Sequence, residues 1–398
     1  MFLVVVVLVL SLLHGYVGLR LIAPFDITGN GLILYWSTIG LLALAPLSGI
    51  ILRVRGLENS YTDLLLWVGY MSLGLFSLAF VFFFIRDILW LAGIIISKLY
   101  ILFNGEERVS SSFDPHRRQF FLVTINWGIA GVTGTLGAIG LFQARVPPSV
   151  IKKKIYLKHL PPRLDGLKIV QISDLHVGPT IKANYVQKVV DQANALEADL
   201  IFFTGDMVDG SVEYLSTDVE PLRELQAKYG KYFVTGNHEY YAGVEFWEQK
   251  VSELGLKNLQ NEHEILEING EAIAIAGVTD LMAHQVLKSH RSDPELAVKG
   301  IPASITTLML AHQPGSAIQM EHLNVDLMLC GHTHGGQYFP FNLAVARVHP
   351  FVAGLYRQGD MQVYVNQGTG YWGPPLRLGI PSEITLIELK SEQASSST

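Results

Sequence analysis

Leu200-Ile201-Phe202-Phe203-Thr204-Gly205-Asp206-Met207-Val208-Asp209 sets four apolar residues shortly before a glycine and two carboxylates. The run is short, lacks polar alternation and ends at a turn residue, the pattern of a strand buried on both faces. It recurs four more times. Residues 167–172 lead to Asp174-Leu175-His176, and 232–234 lead to Gly236-Asn237-His238-Glu239. Residues 305–310 lead to His312, and 325–329 lead to Gly331-His332-Thr333-His334-Gly335-Gly336. Helix-like stretches at 184–196 and 219–229 separate the first three runs, which predicts an α/β domain with a largely parallel or mixed sheet. In such sheets ligands bind beyond the carboxyl ends of the strands. Five strand ends therefore aim Asp, Asn or His at one sheet edge.

No single motif decides the chemistry. Gly-Asn-His alone is usually a turn, and Gly-His-Thr-His alone can be a loop with two exposed imidazoles. The ordered set excludes the bland alternative, because a buried cluster of such groups without a cation costs roughly several kcal/mol in unpaired charge. The donors are nitrogen and oxygen and too many for one tetrahedral ion. They suit two divalent cations (manganese, iron or zinc) about 3.5–4 Å apart, bridged by a shared carboxylate. Such a pair binds a water, lowers its pKa and holds both oxygens of an in-line displacement at phosphorus. A remaining imidazole protonates the leaving oxygen.

The set Asp174-X-His176, Gly205-Asp206-X-X-Asp209, Gly236-Asn237-His238-Glu239, His312 and Gly331-His332-X-His334 resembles the calcineurin-like metallophosphoesterase superfamily over about 151–389. The resemblance implies a four-layer α-β-β-α sandwich with a dinuclear site at the sheet edge. It assigns one cation to Asp174, His176, Asp206 and His334, and the other to Asp206, Asn237, His312 and His332. Asp206 is then the bridge and His238 the general acid, oriented by Asp174 or Glu239. Gly210 stands where many relatives have an arginine that helps bind the phosphoryl group, which weakens the case for a protein phosphatase. The segment from Gly331 through Phe341 is similar to the bacterial membrane-associated branch, transmembrane proteins with a metallophosphoesterase domain. Some relatives there act on lipid-linked substrates such as UDP-diacylglucosamine.

Residues 366–377 are rich in glycine and aromatics. Arg377 is a candidate phosphate ligand and Trp372 a candidate wall of an acyl or base pocket. The structural alternative is a tight turn before a last strand at 384–389, with Trp372 in the core.

Composition separates this domain from what precedes it. Of 398 residues 16% are charged, against about 25% for a soluble chain. Only about 10% of residues 1–143 are charged, and about 19% of those that follow. The net charge of −6 belongs to the second part, which argues against a nucleic-acid partner. Cys330 is the only cysteine, so no intrachain disulfide or multi-thiolate zinc site exists. The expected division is a transmembrane region of four to five helices at 1–144, a linker and edge strand at 145–162, the catalytic domain at 163–390 and a polar tail at 391–398.

Candidate spans lie at 2–21, 31–52, 64–85, 88–103 and 120–142. The fourth is short and carries Lys98, so it is either a span or an interfacial helix. Five crossings, with Arg53, Arg55, Arg108, Arg117 and Arg118 inside, put the catalytic domain on the periplasmic face of an inner membrane. Arg145, Lys152, Lys153, Lys154 and Lys158 oppose that placement, and four crossings would reverse it. Arg117-Arg118 has two readings, a twin-arginine export signal or a basic flank anchoring a helix. The expected function is a membrane-anchored phosphohydrolase for a phosphodiester or pyrophosphate-type bond, lipid-linked substrates included. The alternative is a membrane sensor that binds metal or a phosphoryl ligand without turnover.

Overall fold

A computed structural model describes residues 2–104 and 115–392. Arg108 and residues 393–398 of the expected tail lie outside the described residues. The chain divides into two compact units, Met1–Leu141 and Phe142–Thr398.

Four helices among the described residues are long and apolar enough to cross a membrane: α1 (Phe2–Ile22), α2 (Gly29–Val54), α3 (Ser60–Asn104) and α4 (Pro115–Arg145). Glycine lets α2 and α3 approach closely, since a Cβ at Gly69 would fall 2.8 Å from Cδ of Pro46. The expected break between 85 and 88 is absent, and α3 runs unbroken for 45 residues, about 67 Å. No proline interrupts it, and its mid-helix charges have partners on neighbouring helices. Asp87 takes Arg20 at 2.6 Å, Arg86 at 2.7 Å and the Tyr16 hydroxyl at 2.6 Å. Arg86 also donates to Asn126 at 3.1 Å. Arg117 and Arg118 lie exposed in the first turn of α4.

The second unit contains β1 (Ser149–Leu157), β2 (Lys168–Ile172), α5 (Ala183–Asn194), β3 (Leu200–Phe203), α6 (Val212–Val219) and β4 (Gly230–Phe233). Next come α7 (Asn237–Tyr241), α8 (Val244–Glu253), β5 (Lys257–Asn258), β6 (Glu262–Ile268), β7 (Glu271–Gly277), α9 (Pro294–Val298), β8 (Thr306–Leu310) and β9 (Leu327–Cys330). The last elements are α10 (Phe341–Val348), β10 (Gly354–Gln358), β11 (Met361–Val365) and β12 (Glu383–Ser391).

The strands form two mixed six-stranded sheets, β1-β12-β2-β3-β4-β5 and β10-β11-β9-β8-β7-β6. Alternation along each buried strand builds the layers. Ile169, Leu200 and Phe202 of the first sheet pack against Ile275, Leu308, Leu310 and Leu329 of the second. The opposite face of the first sheet, Val170, Ile201 and Phe203, meets Val186 and Val190 of α5 and Trp247 of α8. The outer face of the second, Met309, Met328 and Val363, meets Ala297 of α9 and Met320. The result is the expected four-layer sandwich.

Two local features differ from expectation. The helix expected at 219–229 lies earlier, as α6 and a 3₁₀ turn at Glu220–Glu224. Ser211 caps α6 by accepting from the Tyr214 N–H at 3.4 Å, and Pro221 tolerates only a first helical turn. The β6–β7 hairpin was legible but unread: Asn269 and Gly270 take φ of 54° and 79°, as a two-residue primed turn requires.

Candidate metal centre

The first sheet delivers its ligands just past β2, β3 and β4, and the second just past β8 and β9. Asp174, His176, Asp206, His332 and His334 all have φ between 51° and 72°. Side chains rarely adopt this left-handed backbone, and its concentration here marks a site whose surroundings impose it. Gly331 is required by close approach, since a Cβ there would collide with Ser173 Oγ and Asp174 Oδ2.

Three groups of donor atoms result among the described residues, the first of Asp174, His176 and His334, the second of Asp206, His312 and His332, and a third of His176, Asp206 and His238 that bridges them, each with its atoms within 4.8 Å of one another. In the first, His176 Nε2 and His334 Nε2 face each other at 3.1 Å, and Asp174 Oδ1 lies 3.6 Å from His334 Nε2. In the second, His312 Nε2 faces His332 Nδ1 at 3.1 Å and Asp206 Oδ2 at 3.0 Å. Asp206 Oδ2 is also 3.7 Å from His176 Nε2, so one carboxylate reaches both groups. The Nδ1 of His312 lies 2.8 Å from the Thr204 carbonyl, which can only accept, so Nδ1 carries the proton and Nε2 aims at the site. Burial disfavours charge on His312, but Asp206 overrides it and holds the pKa well above the usual histidine value. Burial and then the neighbouring cationic groups push His332 and His334 well below that value, so the rings do not charge together.

Asn237 supplies the test of fit. Its Oδ1 is buried with no hydrogen-bond partner. An orphaned amide oxygen in the loop that also carries His238, together with two facing imidazole pairs and a shared carboxylate, suits a pair of oxygen- and nitrogen-binding divalent cations.

Around the donors lies a supporting frame. Asp209 Oδ1 accepts from Nδ1 of His176 at 2.9 Å and of His238 at 2.6 Å. Burial raises the Asp209 carboxyl, yet the His176 and His238 rings more than reverse this and hold it far below the usual carboxylate range. Burial alone would lower the His238 pKa, but Asp206 and Asp209 raise it to about 9. Neither residue expected to orient His238 does so. Asp174 accepts from Ser173 Oγ at 2.6 Å and from the His332 N–H at 2.9 Å. Glu239 accepts from the N–H groups of Asp206, Met207, Val208 and Gly236 at 2.7–3.3 Å. It ties two ligand loops together and cannot reach the imidazole at the same time. Asp209 stood in the Gly-Asp-X-X-Asp motif, and a carboxylate three residues after a bridging aspartate was the missed signal.

Arg377 is also corrected. It is fully buried, and its guanidinium donates to the carbonyls of His334, Gln367, Gly368 and Gly370. Its Nη2 stands 3.1 Å from His334 Nδ1. Every one of these bonds faces the protein, so the side chain positions the His334 loop and is not free to hold a phosphate. Trp372 is half-exposed, with its ring 5.8 Å from that of His238, so it lines the mouth and not the core. Tyr371 occupies the core position instead. Two residues the sequence did not single out also flank the site: Tyr241, with its ring 5.5 Å from His238, and His349, with its ring 5.0 Å from His332.

Comparisons with known proteins agree with this geometry. A family model described as calcineurin-like phosphoesterase matches residues 167–336. The chain is 36% identical over 364 residues to a transmembrane protein with metallophosphoesterase domain of Danio rerio, covering 89% of this chain and 80% of that one. A Bos taurus protein of the same name is 39% identical over 271 residues, covering 65% of this chain and 61% of its own length. An uncharacterized metallophosphoesterase of Bacillus subtilis is 30% identical over 287 residues, covering 69% of this chain and 98% of its own length.

Proposed function

The chain belongs to the calcineurin-like phosphoesterase family, and we propose that it is a membrane-anchored hydrolase of phosphodiester or pyrophosphate-type bonds. The observation that carries this is the reach of the Asp206 carboxylate to both facing imidazole pairs, 3.0 Å from His312 Nε2 and 3.7 Å from His176 Nε2. In this reading Asp174, His176, Asp206 and His334 hold one divalent cation, and Asp206, Asn237, His312 and His332 hold the other. Bound there, the two cations would supply an activated water and a clamp for the phosphoryl oxygens. Manganese, iron and zinc all match the donor set.

His238 carries the proton transfer. Asp209 fixes its Nδ1–H, which leaves Nε2 for the leaving oxygen, and the Asp209 carboxylate favours the protonated ring. Trp372, half-exposed beside it, is suited to stack on or shield the leaving group. Gly210 offers no side chain to grip a phosphoprotein's monoester, which favours diester or pyrophosphate-type substrates, lipid-linked ones among them.

Sidedness in this reading follows from α3. Five crossings need a break that the helix lacks. Four crossings put Arg53, Arg55, Arg145, Lys152, Lys153, Lys154 and Lys158 on one side, against Arg20, Arg117 and Arg118 on the other. The excess of basic residues supports a catalytic unit on the cytoplasmic side, opposite to the periplasmic expectation. A cysteine at exposed Glu295 should resist an impermeant maleimide in intact cells; labelling there would return the unit to the outside.

The activity is tested with the purified chain, manganese, and bis-p-nitrophenyl phosphate beside p-nitrophenyl phosphate. A clear diester preference is expected. A monoester preference would overturn the substrate class, and no turnover with manganese, iron or zinc would favour a non-catalytic sensor.

A further inference from the structure

Immediately after the ligand loop, α10 has the sequence Phe-Asn-Leu-Ala-Val-Ala-Arg-Val and not one buried residue. Leu343 and Val348 are 61% and 74% exposed, and Phe339 and Phe341 just before and within the helix are 45% and 38% exposed. An eight-residue helix is unstable by itself in water and needs packing on an apolar face. Here that face lies bare, beside the metal loop: Asn342 donates to Tyr338 at 3.2 Å, and His349 at the helix end packs its ring on His332.

Charge indicates what covers it. The second part of the chain carries 28 acidic and 21 basic residues, so about one residue in nine is acidic. Residues 327–359 hold Arg347 and Arg357 and no carboxylate at all. An apolar helix in an acid-free, weakly basic stretch of an acidic domain fits an anionic lipid surface, where the helix buries its apolar side and its Arg347 meets headgroup phosphates. The same chain carries four helices of membrane-crossing length, so a bilayer is always near. A second copy meeting it symmetrically, helix to helix, is a poorer match, because it would set Arg347 against Arg347 with no carboxylate in either stretch.

We infer that α10 and its flanks, residues 339–348, dock on the bilayer surface and present the metal centre to substrates carried there. The substrate class rests on the phosphoesterase reading; the docking surface does not.

The test uses the full chain reconstituted in vesicles of phosphatidylcholine and phosphatidylglycerol. Leu343→Cys, Val348→Cys and the reference Glu295→Cys, whose side chain is 76% exposed on α9, are labelled with a small fluorophore. Native Cys330 is buried and stays unlabelled. Nitroxide-bearing lipid should quench the labels at 343 and 348 several-fold more than the label at 295. Equal quenching at all three positions would overturn the inference. So would a blue shift at 343 that vanishes on diluting the protein among vesicles, which would mean a second copy. Turnover of soluble bis-p-nitrophenyl phosphate by the same samples reads the phosphoesterase assignment separately. Its loss with lipid quenching retained would sink that assignment and leave the docking surface standing.

Discussion

Asp209 Oδ1 lies 2.6 Å from His238 Nδ1, and the same oxygen lies 2.9 Å from His176 Nδ1. One carboxylate thus sets the tautomer of both the proposed general acid and a proposed metal ligand. Asp209→Asn should lower both metal affinity at the His176 group and turnover, each by about 10–100-fold. Metal content by elemental analysis and kcat on a soluble diester check this. Full metal occupancy with unchanged kcat would mean that the contact is incidental.

His238→Ala should keep both metals, because its Nδ1–H is taken by Asp209 and all the ligands assigned to each cation remain in place. Turnover should fall by about 10²–10⁴-fold. The loss should be smaller for a p-nitrophenolate leaving group, which departs without a proton, than for an alkoxide. Equal losses on both, or a missing metal, would remove the general-acid role.

Much of this centre was legible because strand ends are the places where sequence and topology coincide. Apolar runs such as 200–203 mark buried strands by composition alone, and the residue after each run must lie at the sheet edge. Orientation of side chains was not legible. Asp174, Asp209 and Glu239 are all carboxylates within a few residues of a ligand, and only the loop backbones decide which one meets His238. Arg377 misled for a related reason: a charged residue late in a glycine-rich segment resembles a phosphate ligand, until four carbonyls are seen to claim it. In the first unit, Arg86-Asp87 looked like the gap between two spans. Partners on α1 and α4 satisfy those charges, and the helix continues through them.

Asp206→Asn should weaken both cations together, since Oδ2 reaches His312 at 3.0 Å and His176 at 3.7 Å. Titration of the metal-free variant with manganese should show both sites weakened at least about tenfold, on the scale of a lost charged ligand partner. One unaffected site would show that the carboxylate serves only the other.

Glu239→Ala should act on stability. The carboxylate accepts four buried backbone N–H groups from two loops, and removing it leaves all four without a partner. At about 1–3 kcal/mol for each unsatisfied buried group, partly offset by water entering the gap, a net loss of about 3 kcal/mol or more is expected. Chemical unfolding of the second unit's signal measures it. A loss below about 1 kcal/mol would mean that the loops hold without this brace.

Arg377→Lys separates a positioning role from substrate binding. Lysine keeps the charge and loses the planar fork that serves the carbonyls of His334, Gln367, Gly368 and Gly370 together. The His334 loop should loosen, metal affinity at the His176–His334 pair should fall, and kcat should drop by about tenfold or more with KM for a soluble diester little changed. A phosphate ligand would behave in the opposite way: substituting it raises KM first, and lysine, still a phosphate-binding cation, would rescue much of the loss. A KM-dominated defect with full metal occupancy would therefore return Arg377 to the substrate, against the burial that now places it behind His334.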